Sequence, residues 1–214
     1  HELVRGILVG ARDNGYAGLR RYTTDTKQDP TFGRAPKVSP GFVHYASRVI
    51  GITDVFFQTA DLTDSISGYR FGDVILLHEL IHAFDDRTGS TDVGFTSVSG
   101  WVFENNRWTY AHPVSISGYH GVFAESLTLY GRGRYGEART RDRSFATSLT
   151  FPLPTIQSLA SPGESFADIL AHLIVDPRAT TYLPRDVVSW FAGNVFPILI
   201  DKGRRFRAAD YDLF

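Results

Sequence analysis

From Asp73 to Asp86 the chain reads DVILLHELIHAFDD, with no glycine or proline, and this segment constrains the fold more than any other. It is too long for a single strand and carries apolar residues on every side, which predicts a buried helix over about Asp73–Asp86. A buried helix needs a core around it. The 214 residues, with 16 Phe, 10 Tyr and 3 Trp, can provide one. A domain of this size buries roughly 70% of its unfolded surface, so one domain spanning 1–214 is expected. The polar residues in the segment, His78, Glu79 and His82, are expensive to bury unless a metal or a complete set of hydrogen bonds receives them.

Charge and composition narrow the chemistry. Lys and Arg number 22 against 23 Asp and Glu, giving a net charge of -1. That balance offers no global field for nucleic acid or an anionic membrane surface. With no cysteine in the chain, disulfides and sulfur ligands are excluded, and any metal must be held by His, Asp or Glu. No run approaches the roughly 18–20 apolar residues that span a bilayer. The chain begins at His1, without a charged-then-apolar leader, so it is expected to be a processed product.

Elsewhere the patterning is mixed. Leu3–Val9, ahead of an Asn14-Gly15 turn signal, and Ile52–Gln58 read as strands. The span from Thr88 to about Thr155 is rich in Gly, Ser, Tyr and Arg and is expected to hold turns, short strands and loops. A second helix is predicted from Ser161. Serine suits the N-cap, Pro162 the first helical position, and Phe166, Ile169, Leu170, Leu173 and Ile174 form an apolar stripe. Glu164, Asp168 and His172 share its other face. A third helix is predicted after Pro184, with Pro197 kinking or ending it. Together these elements predict an α+β fold.

The segment His78-Glu79-Leu80-Ile81-His82 is an HExxH sequence on a predicted helix. Four residues are about 1.1 helical turns, so both imidazoles leave one face and can hold one ion, with Glu79 turned toward a water on that ion. A catalytic zinc takes three protein ligands and keeps a fourth place open. A third histidine six residues past His82 is ruled out because Thr88 is there, and only Glu104, Glu125, Glu137 and Glu164 lie downstream as glutamates. Glu164 is best placed, one turn before Asp168 on the polar face, where the second acid can hold the free N–H of a ligating histidine. Ser161 and Glu164 also read as a capping box. Glu125 is the rival ligand.

His78–His82 with Glu164 and Asp168 resembles the gluzincin clan of zinc metallopeptidases, which join HExxH to a Glu-x-x-x-Asp or Glu-x-x-x-Glu helix. Within the clan, the residues from His78 to Asp86 and Glu164-Ser-Phe-Ala-Asp168 are similar to anthrax-lethal-factor-like and related secreted bacterial zinc peptidases. The match covers two helices. The resemblance implies a zincin-like domain, with a small N-terminal sheet, an active-site helix and a mainly helical C-terminal lobe. It further implies Zn2+ held by His78, His82 and Glu164, Glu79 as general base toward a metal-activated water, and Asp168 behind His78. Asp85 would orient a ligand or stabilise the active helix. The substrate would be a protein or peptide, paired with an edge strand near Ile52–Gln58, and the location extracellular. In the lethal-factor-like pattern a tyrosine stands seven residues before the third ligand; here that position is Gln157. Tyr119, His120 and Tyr130 are the alternatives for stabilising the oxyanion. The competing class is a non-catalytic, protein-binding domain of the same fold.

Remaining features carry less. Arg132, Arg134, Arg139, Arg141 and Arg143, like Lys202, Arg204, Arg205 and Arg207, read as solvated charge, although the first group could meet an acidic segment. His44, His112 and His172 are not expected to be ligands, and Trp101 and Trp108 read as packing residues. No glycine spacing suits a nucleotide.

Overall fold

A computed structural model describes residues 2–22, 40–61, 69–86, 92–104, 106–110, 158 and 161–213. The chain is α+β. In order it forms α1 (Glu2–Asp13), β1 (Leu19–Tyr22), β2 (Gly41–His44), β3 (Val49–Thr53), α2 (Asp54–Thr59), α3 (Phe71–Asp85), α4 (Val93–Ser99), β4 (Trp101–Glu104) and β5 (Arg107–Tyr110). Then follow α5 (Pro162–Val175), α6 (Ala179–Tyr182), α7 (Arg185–Asn194), α8 (Phe196–Arg204) and a 3-10 turn, Ala208–Leu213. No helix of the described residues is long and apolar enough to cross a membrane.

Helix α1 replaces the strand expected at Leu3–Val9. Its apolar residues Leu3, Val4, Ile7, Leu8 and Ala11 are spaced for a helical stripe. The two glycines that weaken it as a helix permit close packing instead. A Cβ on Gly6 would lie 2.0 Å from the Leu199 carbonyl oxygen of α8, and one on Gly10 would lie 2.3 Å from the Phe84 ring of α3. Asn14-Gly15 is therefore a helix terminus and not a hairpin turn. Gly15 has φ +85°, its N–H bonds the Arg12 carbonyl, and the Tyr16 N–H bonds that of Ala11.

The sheet has the order β1-β3-β2, with β1 parallel and β2 antiparallel to β3. The predicted strand Ile52–Gln58 is thus half right. Val49–Thr53 is the central strand, buried throughout, and at Asp54 the chain turns into α2. The central strand is paired on both sides, and its neighbour β2 packs on α3. A second, two-stranded hairpin pairs β4 with β5, and Asn106 takes φ +62° at its turn. Helix α4 lies where only turns, strands and loops were expected. Asp92 caps it, its Oδ1 accepting from the N–H groups of Gly94 and Phe95.

Helices α1, α3 and α5 pack side by side, with α8 against α1 and α7 against α4. Phe95, Phe166, Trp190 and Phe191 meet edge-to-face or tilted at centroid distances of 5.1–6.2 Å. They join α4, α5 and α7 into one core. Each fully buried aromatic contributes about 1.5–3 kcal/mol. Trp101 is buried and packs as expected. In the basic tail, Lys202 and Arg205 reach Asp13 at 2.9 and 3.5 Å instead of standing free in solvent.

Candidate metal centre

Two helix ends fix the site. Helix α3 spans Phe71–Asp85, close to the predicted range, and ends at Asp86 with φ +42°. Asn14 donates its side-chain amide to the Ala83 and Phe84 carbonyls at 2.9 and 2.7 Å, satisfying two acceptors that the helix leaves open. Helix α5 starts where predicted, with Ser161 as N-cap and Pro162 in the first turn. The Ser161 hydroxyl accepts from the Glu164 backbone N–H at 3.1 Å. The cap thus takes the main chain of Glu164 and leaves its carboxylate for another use.

That carboxylate faces the two imidazoles of α3. His78 Nε2 lies 3.0 Å from His82 Nε2 and 3.0 Å from Glu164 Oε2, and His82 Nε2 lies 3.5 Å from Glu164 Oε1. Each of the three residues offers a ligand atom, all within 4.8 Å of one another. Zinc held tetrahedrally at about 2.0–2.1 Å separates its donors by about 3.3–3.4 Å. The observed separations bracket that value, so the donor set fits such an ion. Two Nε2 atoms at 3.0 Å must either share a proton or face a common cation.

Electrostatics follow from burial. His78 and His82 are buried, and Glu79 lies beside them on α3, also buried. Burial disfavours the His78 imidazolium, yet the hydrogen bond and charge of Glu164, with the charges of Glu79 and Asp168, outweigh it and raise His78 to about 9. Burial pushes Glu164 upward too, but the charge of His82 and the hydrogen bonds from both histidines hold it well below the usual carboxylate range. Glu79 is raised, because burial dominates over His78 and His82.

Glu79 also touches the sheet. A Cβ built on Gly41 of β2 would stand 2.7 Å from Glu79 Cγ and 2.9 Å from its Oε1. Only a residue without a side chain lets this edge strand approach the acid so closely. Sequence reasoning missed Gly41, for nothing local marks it.

Behind the imidazoles stands Asp168, 3% exposed, its Oδ1 3.9 Å from His78 Nδ1 and 3.5 Å from His172 Nδ1. Its Oδ2 accepts a 2.5 Å hydrogen bond from Ser158, another residue the sequence did not single out. His172 is turned away from the ligand group. Its Nδ1 donates to the Asp168 carbonyl at 2.8 Å, which leaves Nε2 to accept from the Tyr69 hydroxyl at 3.3 Å. His44 pairs with Ser47 at 2.7 Å.

Asp85 is buried at the end of α3 and lines a cavity of about 450 Å³ with Asn14, Phe84, Trp190 and Lys202. The expected oxyanion groups Tyr119, His120 and Tyr130, the rival ligand Glu125, His112, Gln157 and the arginines 132–143 lie outside the described residues.

No protein-family description matches the chain, and neither the curated proteins nor the solved structures searched contain a significant match.

Proposed function

We propose that the chain is a zinc-dependent endopeptidase of the gluzincin type, with a zincin-like fold. The observation that carries this reading is the convergence of His78, His82 and Glu164, from two separate helices, at separations suited to one tetrahedral cation.

Zinc bound there supplies a Lewis acid that polarises a scissile carbonyl and brings the pKa of water toward 7. The chain's own residues do the remainder. His78 and His82 present Nε2, and Glu164 presents its carboxylate. Glu79, buried and raised above an ordinary carboxylate, accepts a proton from the attacking water and passes it to the leaving amine nitrogen. Strand β2 meets Glu79 at Gly41, and the substrate in this reading is an extended peptide. The clan resemblance also supports an extracellular location.

The test is cleavage of a quenched-fluorescence peptide library by the zinc-loaded chain, abolished by a chelator and restored by zinc. Glu79→Gln is expected to keep the metal and lose about 10²–10⁴-fold in rate. His78→Ala and His82→Ala are expected to lose the metal. Glu164→Ala should weaken zinc binding and Glu125→Ala should not; the reverse would move the third ligand to Glu125. Tight zinc without cleavage of any library member would leave a non-catalytic metal-binding domain.

A further inference from the structure

We propose that Ser158 is a positioning residue for the metal centre, acting through Asp168 on His78; the inference rests on the metal reading of the site. Asp168 stands between two imidazoles, and a carboxylate in that position can serve either. Two hydrogen bonds decide between them. His172 is already committed, its Nδ1 donating to the Asp168 carbonyl at 2.8 Å and its Nε2 accepting from Tyr69. Ser158 donates to Oδ2 at 2.5 Å, which restrains the rotation of the carboxylate, and Oδ1 is the oxygen facing both imidazoles. Of these two, His78 is the one whose Nδ1 is not bound to the Asp168 main chain.

His78 Nδ1 lies 3.9 Å from Oδ1, longer than a hydrogen bond but within ion-pair range. Asp168 is therefore placed to hold the His78 ring with Nε2 toward His82 and Glu164, and to raise its basicity as a ligand. Ser158 is 0% exposed, so removing its hydroxyl opens a gap too small for a replacing water. Without that donor the carboxylate is less restrained and can rotate, taking Oδ1 from its place behind His78.

The experiment is zinc affinity by competition with a chromophoric chelator, with thermal unfolding of the metal-free protein as a second readout. Ser158→Ala should weaken zinc about tenfold, the lower end of what loss of a partner behind a ligand does. In an Asp168→Ala background the same change should add less than twofold, since the path through Asp168 is gone. Tyr69→Phe, which removes the hydroxyl that bonds the His172 arm, should leave zinc affinity unchanged.

Equal zinc affinity in wild type and Ser158→Ala, with only the melting temperature lowered, would overturn the assignment and leave the metal reading standing. A tenfold loss that persists undiminished without Asp168 would overturn it also. Should the Ala variant not fold, Ser158→Cys keeps the volume with a weaker donor and is expected to lose at least threefold; wild-type or higher affinity would overturn the proposal. A wild-type chain that takes up no zinc would overturn the metal reading and this inference with it.

Discussion

Placing a methyl group at Gly41 perturbs Glu79 without altering its chemistry. The new Cβ would stand 2.7 Å from Glu79 Cγ, 2.9 Å from Oε1 and 3.0 Å from Cδ. Carbon atoms rest about 3.5–4.0 Å apart, so the Glu79 side chain must withdraw by about 1 Å. Gly41 does not have a positive φ, so alanine brings no backbone strain, and its smaller unfolded-state entropy offsets part of the clash. The three atoms nearest the new Cβ all belong to Glu79 and none to a ligand candidate. A displacement of 1 Å in a reacting group costs on the order of 10²-fold in rate, equivalent to about 2.7 kcal/mol of transition-state stabilisation. The expected result for Gly41→Ala is kcat/KM lowered about 100-fold on a peptide that the wild type cleaves. Zinc content by elemental analysis should be unchanged and the melting temperature within a few degrees. Zinc-loaded, folded Gly41→Ala with wild-type kcat/KM would refute both the placing of β2 against Glu79 and the role given to that acid.

Zinc at 100-fold above its dissociation constant should stabilise the chain by about 2.7 kcal/mol, a rise of roughly 5–10 °C in melting temperature for a chain of this length, lost on chelation and absent in His82→Ala. Gly6→Ala forces α1 and α8 apart, since its Cβ would lie 2.0 Å from a main-chain oxygen. It should lower stability by about 1–3 kcal/mol in a denaturant melt, and an unchanged midpoint would contradict that helix crossing. Asp210 accepts from the Arg207 backbone N–H at 2.7 Å and from Arg12 at 2.6 Å, and these bonds, the first above all, hold its carboxyl below the usual range. A depressed folded-state value means stabilisation present above the unfolded pKa of about 4 and lost as pH falls through the lower folded value. Asp210→Asn should therefore be less stable than wild type at pH 7 and converge with it in acid, as followed by thermal melts from pH 7 to 2.

The site also has a charge problem that a cation resolves. Glu79 and Asp168 are buried and Glu164 is largely so, and they surround two buried imidazoles. Three carboxylates and two neutral imidazoles would leave the interior short of positive charge, at a desolvation cost of several kcal/mol per unpaired ion. Against the burial that disfavours its charged form, Glu164 above all, then Glu79 and Asp168, raise the His78 imidazole above its ordinary value. A divalent cation meets the same deficit more fully and releases the imidazole proton on binding. The two descriptions concern one electrostatic requirement, so burial of these groups together is compatible with the metal reading.

What the sequence made legible is what local periodicity encodes. Helix α3 was visible because a largely apolar segment of that length without glycine or proline is too long for a strand, and α5 because Ser161, Pro162 and the stripe from Phe166 to Ile174 are all contained in one short segment. Both helices carry ligand candidates, and that is why His78, His82 and Glu164 could be named together. Helix α1 was misread because its β-branched residues suit a strand in isolation and its glycines weaken it as a helix. Its glycines are explained only by α8 and Phe84, which are remote in sequence. The edge strand was misplaced for a related reason. Strand order β1-β3-β2 depends on pairings across the chain, and Asp54 ends β3 where the apolar run Ile52–Phe57 suggested continuation. Gly41 and Ser158 belong to neither a motif nor a stripe. Each matters through one long-range contact, Gly41 with Glu79 and Ser158 with Asp168, and such contacts leave no period for a sequence to display. Candidate donor atoms, and an acid one turn along the same helix such as Asp168, follow from residue type and helical spacing, whereas Gly41 and Ser158 follow from tertiary packing and are seen only in the fold.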